Sequence, residues 1–242
     1  MPPYTDMTPT LRVAEQRALY RVLADRRPAV VLVCGTPGMG KSWLLRRLRA
    51  RATSQGWHVA SDLDGGVLRI DPQTPPRAFR SAVLDAIKTE AGDDRSRIRR
   101  ETAMADPQAP SRPLDPFVEE LARHAPLLVV VDDYRPGAAF GRWFQTAFLP
   151  QVPRCGASLV VAVAQPPGGG ELAPLATVPP VELSELAPEE IRVVLQHDTA
   201  HVEPPLSDEE LDVYAREARN PQDLGSLIRA LTFTAGRPEE SL

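Results

Sequence analysis

The sequence contains one segment whose residue types and spacing suit phosphate binding. Residues 35–42 fit the pattern GxxxxGK[ST], so the candidate binding residues are Gly35, Thr36, Pro37, Gly38, Met39, Gly40, Lys41 and Ser42. Glycines let the backbone curl so that successive N–H groups point inward at phosphate oxygens. In such a loop the lysine reaches the β- and γ-phosphates and the serine hydroxyl binds Mg²⁺. We therefore predict a nucleotide site here, with Lys41 as a catalytic residue and Trp43 beside the bound cofactor.

The scarcity of lysine draws attention to the same position. Of the 28 basic residues, Lys41 and Lys88 are lysines and the other 26 are arginines. A phosphate loop needs a compact ammonium on a flexible stem, because a planar guanidinium does not fit the phosphate cradle. Lys41 thus has a chemical reason to differ from the other cations, whereas no motif surrounds Lys88.

A second segment supplies carboxylates. The apolar run Leu127–Val131 predicts a buried strand, and Asp132 and Asp133 follow it directly. Ligands of open α/β sheets bind outside the carboxyl ends of the strands. We predict that Asp132 holds Mg²⁺ together with Ser42, and that Asp133 orients or deprotonates the attacking water as a catalytic residue.

Strands and helices alternate along the part of the chain that carries these motifs. Apolar runs predict strands at 29–34, 57–60, 67–70, 127–131 and 159–164, and helical spacing predicts helices around 11–23, 44–48, 79–87, 117–121 and 140–148. This alternation predicts an α/β fold over 11–184, a P-loop NTPase parallel sheet sandwiched by helices. Residues 91–113, rich in charge and proline, predict a mobile loop.

The character of the sequence changes after about residue 185. Pro188 suits the first position of a helix, Ser207 and Glu210 form a capping box, and leucines at helical spacing mark a last helix over 224–231. These patterns predict a small C-terminal helical lid at 185–235. A subdomain of this size is marginal alone, so we expect it to pack on the sheet domain.

Composition excludes several classes of protein. Of 242 residues, 43% are hydrophobic and 25% charged, which is typical of a folded globular chain. The net charge of −4 disfavours a general binder of nucleic acid or membrane surfaces. Two cysteines, Cys34 and Cys155, are too few for a disulfide framework, and neither a signal peptide nor a membrane-length apolar run is present. We expect a cytoplasmic protein.

Taken together, these segments resemble the STAND class of signalling ATPases, an AAA+-like group related to the NB-ARC and NACHT families. The resemblance covers most of the chain and rests on the phrases VVLVCGTPGMGKSWLLRRL, PLLVVVDD, VELSELAPEEIRVVL and ARNPQDLGSLIRAL. It implies ATP or ADP with Mg²⁺ as ligands and a switch controlled by the bound nucleotide. In that class a proline in the last phrase lies against the adenine, and Pro221 matches that position.

The sequence also departs from the class. STAND proteins usually end the strand after the aspartates with a Thr or Arg that senses the γ-phosphate, whereas this chain has Gln165, which can bind phosphate but lacks the charge. A loose Pro/Gly-rich link at 165–180 replaces the helix that carries an arginine finger in AAA+ hexamers, and Arg142 and Arg154 are remaining candidates. Because a missing arginine finger costs about 10³–10⁵-fold in rate, we expect slow hydrolysis unless a partner supplies the charge.

The resemblance also bears on partners. STAND proteins join this module to an effector domain, a winged helix and sensor repeats, for which the short segments outside 11–235 leave no room. We therefore expect a regulatory switch that signals to separately encoded protein partners, with oligomerisation possible. Neither nucleic acid nor a membrane is an expected partner.

Two other functions are compatible with the sequence. A P-loop kinase or transferase acting on a small molecule would need an arginine-bearing lid, for which the loop at 91–113 offers arginines. A DNA-associated AAA+-like ATPase has a similar N-terminal helix and phosphate loop, although the acidic charge balance disfavours it. A GTPase is less favoured, since no Asn/Thr-Lys-x-Asp segment exists, and the Ser-Gly-Gly-Gln signature of transporter ATPases is absent.

Overall fold

A computed structural model describes residues 11–63, 74–90, 114–132, 134, 138–200, 202 and 205–235 of the chain. The predicted strand at 67–70, the predicted loop at 91–113 and the candidate catalytic Asp133 lie outside the described residues. Within the described part, no helix is both long and apolar enough to cross a membrane.

Five parallel strands form one sheet in the order β2-β3-β4-β1-β5. Their bounds are β1 Ala29–Cys34, β2 His58–Ser61, β3 Leu127–Val131, β4 Leu159–Gln165 and β5 Val181–Glu182. Every residue of β1, β3 and β4 is buried, as expected for strands covered by helices on both faces. The carboxyl ends of β1, β3 and β4 therefore lie along one edge of the sheet.

Eight α-helices are described. They are α1 Val13–Asp25, α2 Lys41–Ser54, α3 Pro76–Glu90, α4 Pro116–Arg123, α5 Ala138–Trp143, α6 Pro188–Asp198, α7 Asp208–Glu217 and α8 Pro221–Ala235. After α5 the chain continues through a π-helical turn, Phe144–Phe148, and a 3-10 segment, Leu149–Arg154. The predicted helices around 79–87, 117–121 and 140–148 correspond to α3, α4 and this composite helix.

The structure confirms the predicted α/β fold with a parallel sheet and flanking helices, and it adds two features. β5 was not predicted, because a two-residue strand carries no periodicity; it pairs with Val33 and Cys34 of β1. The predicted loose link after Gln165 contains 3-10 turns over Pro167–Leu175, interrupted at the three glycines, with Leu172 buried. Burial of that leucine against the core orders the first part of the link.

The chain divides into two compact units. The sheet unit comprises 15–35 and the described part of 41–182, and its core includes a large cluster in which one face of β1, β3 and β4 packs against α3, α4 and the composite helix over 138–154. The other unit comprises 11–14, Thr36–Gly40 and the described part of 183–235, and because it contains the predicted lid we call it the lid unit. In the lid unit, α6 packs against α7 and α8. The tip of the phosphate loop thus groups with the C-terminal helices, whereas its two ends belong to the sheet unit.

Candidate functional site

The phosphate loop adopts a backbone that its glycines make possible. Gly38 has φ +86° and Gly40 has φ +89°, in the left-handed region that side chains disfavour. Between them the Met39 N–H donates to the Thr36 carbonyl at 3.4 Å and closes a turn. Loops of this conformation are able to direct consecutive N–H groups toward an anion.

In the sheet unit, hydrogen bonds join the start of the loop to the end of β4 and to Lys41 at the other end of the loop. The Gly35 N–H donates to the Gln165 carbonyl at 3.2 Å, and the Lys41 ammonium donates to the Gly35 carbonyl at 2.6 Å. Helix α2 begins at Lys41, and no acidic residue occupies its first turn. The unpaired N–H groups of a helix N-terminus carry a partial positive charge, so this end of the loop suits an anion.

Burial and a nearby carboxylate act in opposite directions on the pKa of the Lys41 ammonium, and burial has the larger effect. Burial lowers the pKa of the Lys41 ammonium, whereas the Asp132 carboxylate opposes this change by favouring the charged form. The structure thus brings the predicted lysine and the predicted Mg²⁺ ligand into electrostatic range of each other.

The carboxylate of Asp62 positions the end of β3. Both of its oxygens accept the Asp132 backbone N–H, at 2.8 and 2.9 Å. Sequence reasoning missed this residue. Asp62 follows β2 just as Asp132 follows β3, but only the structure shows that the two strands are parallel neighbours. A carboxylate that accepts from a backbone N–H makes a strong, charge-assisted hydrogen bond.

Two other predicted binding residues have largely buried side chains in the sheet unit. The Gln165 side-chain amide donates to the Ala164 carbonyl at 2.9 Å. The Trp43 indole is buried in α2, with the Arg47 guanidinium 5.4 Å from its ring centroid. The arginine-finger candidates Arg142 and Arg154 are exposed.

Cys34 immediately precedes the loop and is fully buried. Burial, together with the nearby Glu182 carboxylate, raises the pKa of its thiol to about 11. A thiol with this pKa stays neutral at physiological pH and is a poor nucleophile. Cys34 therefore serves as an apolar strand residue beneath the loop.

In the lid unit, the start of α8 lies against the tip of the loop. The Asn220 side-chain oxygen caps this helix by accepting from the Gln222 and Asp223 N–H groups, each at 2.9 Å. A Cβ built on Gly38 would lie 3.0 Å from Gln222 Oε1, and one built on Gly40 would lie 3.0 Å from Pro221 Cγ. The structure therefore brings Pro221 to the phosphate loop, together with two polar residues that sequence reasoning missed.

This packing predicts the effect of a methyl group on the loop. We expect Gly40→Ala to weaken binding of the fluorescent nucleotide MANT-ATP by about tenfold or more, because the left-handed backbone costs about 1–2 kcal/mol and the rigid proline ring leaves no space. Titration of MANT-ATP against the purified variant measures the loss. Urea unfolding of the same sample measures how far the fold is also destabilised.

Gly56→Ala is the matched control for backbone strain. Gly56 has φ +75° but nothing within 4 Å of a built Cβ. We expect this variant to lose about 1 kcal/mol of stability and to bind MANT-ATP as wild type does. Equal affinities for the Gly40→Ala and Gly56→Ala proteins would contradict the importance of the loop backbone.

Two residues at the predicted site carry oxygen atoms that suit Mg²⁺. Ser42 and Asp132 offer hydroxyl and carboxylate oxygens, which Mg²⁺ prefers, and it commonly takes only one or two protein ligands besides phosphates and water. Among the described residues, no group of three or more His, Cys, Asp or Glu is arranged to hold a metal ion alone. Ser42 and Asp132 thus offer the kind of oxygen ligands that a nucleotide-associated Mg²⁺ takes.

Comparison with known proteins agrees with this geometry. Residues 9–154, more than half of the chain, match the family model described as AAA ATPase domain. No curated protein sequence matches the chain significantly.

Solved structures share the fold at low sequence identity. Cdc6p from Pyrobaculum aerophilum is 16% identical with a TM-score of 0.58, and the match covers 97% of this chain and 64% of that one. A RuvB variant from Thermotoga maritima is 14% identical with a TM-score of 0.54, covering 90% and 60%. AMPPCP-bound DnaA from Aquifex aeolicus is 12% identical with a TM-score of 0.51, covering 95% and 63%. The chain thus spans less than two thirds of the length of each.

Proposed function

This chain belongs to the AAA ATPase domain family, and we propose that it binds ATP at residues 35–42 and hydrolyses it. The observation that carries the proposal is the loop itself. The loop connects the buried strand β1 to the N-terminus of α2. It contains two glycines in left-handed conformation, and the Lys41 ammonium donates to the Gly35 carbonyl. That combination of backbone donors, fixed charge and helix dipole suits the phosphates of a nucleotide.

Each residue has a distinct role in this proposal. Backbone N–H groups of the loop, that of Gly40 among them, bind phosphate oxygens, and Lys41 neutralises the β- and γ-phosphates. Ser42 and Asp132 hold Mg²⁺, which when bound neutralises charge that develops on the phosphates. Asp133 orients or deprotonates the attacking water. Asp62 keeps the Asp132 backbone in place through its paired hydrogen bonds.

The finer assignments follow the STAND resemblance. We assign 11–184 to the nucleotide-binding domain and 185–235 to the lid. Trp43, Gln165 and Pro221 complete the cofactor-binding set, with Pro221 at the adenine. Contacts of Pro221 with Gly40 support its place beside the phosphate loop. In this switch the bound nucleotide sets the conformation of the lid, which protein partners then recognise.

A slow rate is the kinetic signature of such a switch. We expect the purified protein to turn over ATP at about one per minute or less, because the Gln165 amide is neutral and a missing arginine finger costs about 10³–10⁵-fold. A steady-state phosphate-release assay at low protein concentration measures this rate. Fast turnover under those conditions would contradict the switch and favour a constitutive ATPase.

Three measurements separate the competing functions. Phosphate that appears on an added small molecule rather than in solution would favour the kinase or transferase alternative. Binding of duplex DNA that weakens steeply with salt would favour the DNA-associated alternative. For the switch itself, hydrogen–deuterium exchange of 185–235 should differ between ATP- and ADP-saturated protein, and identical exchange in the two states would contradict it.

A further inference from the structure

Arg12 is a buried arginine in an unusual backbone conformation. Arg12 is only 4% exposed to solvent, and its φ of +57° lies in the left-handed region. Arginine is almost never buried this deeply unless hydrogen bonds satisfy its guanidinium. Left-handed backbone at a residue other than glycine is uncommon and marks a position that its surroundings hold in place.

The contacts of Arg12 converge from two segments of the lid unit. Its guanidinium Nη2 donates to the Met39 carbonyl at 3.3 Å and to the Ser184 carbonyl. Its backbone N–H donates to Glu190 Oε1 at 3.4 Å, while Glu190 Oε2 accepts the Ala187 N–H at 3.1 Å and so caps α6. One residue therefore connects the tip of the phosphate loop to the segment that leads into α6.

The contact with Met39 acts on the peptide that precedes Gly40. The Met39 carbonyl and the Gly40 N–H belong to one planar peptide, in which they point in opposite directions when the bond is trans. A cation that holds the carbonyl on one side thereby fixes the direction of the N–H on the other. It also polarises the peptide and makes that N–H a stronger donor.

We propose that Arg12 is a positioning residue for nucleotide binding. By holding the Met39 carbonyl, it aims the Gly40 N–H at a phosphate oxygen, and by holding the Ser184 carbonyl it ties that peptide to the start of α6. This inference rests on the proposed function, because it assigns Arg12 to the same ATP site. It implies that a change in the conformation of the phosphate loop alters the conformation of residues 184–190.

The decisive substitution is Arg12→Asn. Asparagine tolerates left-handed backbone but is too short to span both carbonyls. We expect MANT-ATP affinity to fall about tenfold. We also expect the ¹⁵N resonance of Gly40 to shift in the nucleotide-free protein, because the preceding carbonyl loses its donor, while that of Gly56 stays in place. The ATP-dependent change in deuterium exchange at 184–190 should disappear.

Two further variants complete the design. Arg26→Asn is the matched control, because Arg26 also has a positive φ, +49°. Its side chain is exposed, and the residue lies outside the phosphate loop and α6. The MANT-ATP affinity and the deuterium exchange at 184–190 should therefore match those of wild type. Arg12→Lys keeps the charge but not the planar fork, and we expect an intermediate affinity, about threefold weaker than wild type. If Arg12→Asn fails to fold, Arg12→Lys supplies the affinity, ¹⁵N and exchange readouts.

The outcomes separate the two proposals. If wild-type protein binds no MANT-ATP, the proposed function and this inference both fall. If wild type binds and the folded Arg12 variants bind equally well, with an unmoved Gly40 resonance, the inference alone is overturned. If affinity falls but the Gly40 resonance and the exchange at 184–190 stay as in wild type, Arg12 has only a structural role and the inference is likewise overturned.

Discussion

Lys41→Ala should reduce ATP affinity about 100-fold and abolish measurable hydrolysis. The ammonium is the fixed positive charge of the phosphate loop, and hydrogen bonds to charged groups are worth about 1.5–3 kcal/mol each, before its direct attraction to the phosphates is counted. Its position is set in advance, because Nζ already donates to the Gly35 carbonyl at 2.6 Å. Isothermal titration with ATP, ADP and GTP, each with Mg²⁺, measures the loss and the base preference together.

Two lysine variants control this experiment. Lys88→Ala removes the one other lysine of the sequence, which lies outside the phosphate loop, and should leave the affinity unchanged. Lys41→Arg keeps the charge but replaces a compact ammonium with a planar guanidinium, so it should rescue little. Unchanged ATP affinity in a folded Lys41→Ala protein would overturn the nucleotide site altogether.

The strands that carry the site were predictable because of their burial. β1, β3 and β4 lie between two layers of helices, so their sequences are continuous apolar runs and their bounds follow to within one residue. β5 escaped prediction because its two residues, Val181 and Glu182, become a strand only by pairing with the end of β1. The hydrophobic pattern of the sequence thus predicts strands that are buried on both faces. It misses an edge strand that forms only through hydrogen bonds to a neighbouring strand.

The candidate site divides in a similar way. The loop residues and Asp132 could be predicted because they belong to motifs that are contiguous in the sequence. Asp62 could be found only by knowing that β2 and β3 are neighbours in the sheet. Arg12 contacts Met39 through a side chain that is one of 26 arginines, and no local pattern distinguishes it. Residues that position the site through tertiary contacts can therefore be identified only from a structure.

The second large effect that we expect is on folding, from Phe79→Ala. Phe79 is 1% exposed on α3, and its ring lies at the centre of an aromatic cluster in the sheet unit. Its centroid is 5.4–6.5 Å from five other rings, those of Phe117, Phe140, Trp143, Phe144 and Phe148. Truncation of a buried phenylalanine costs about 3–5 kcal/mol, and here the lost edge-to-face contacts favour the upper end.

Urea unfolding followed by tryptophan fluorescence measures this loss, since Trp143 belongs to the same cluster. Because domains are stable by only about 5–15 kcal/mol, a loss of about 4 kcal/mol lowers the urea midpoint substantially. Phe79→Leu keeps much of the volume and should cost less than half as much. Val193→Ala on α6, where the valine is 49% exposed, should change the free energy of unfolding by less than about 0.5 kcal/mol.

The cluster also reaches the candidate site. Tyr134, two residues after Asp132, packs on Phe144 with centroids 5.2 Å apart, and Phe144 is one of the rings around Phe79. A cavity at Phe79 should therefore loosen the chain that follows β3 as well as the fold. We expect folded Phe79→Leu protein to hydrolyse ATP more slowly than wild type while binding it with similar affinity, since the rings of the cluster come from residues outside the phosphate loop. An unchanged rate with reduced stability would show that the cluster supports the fold alone.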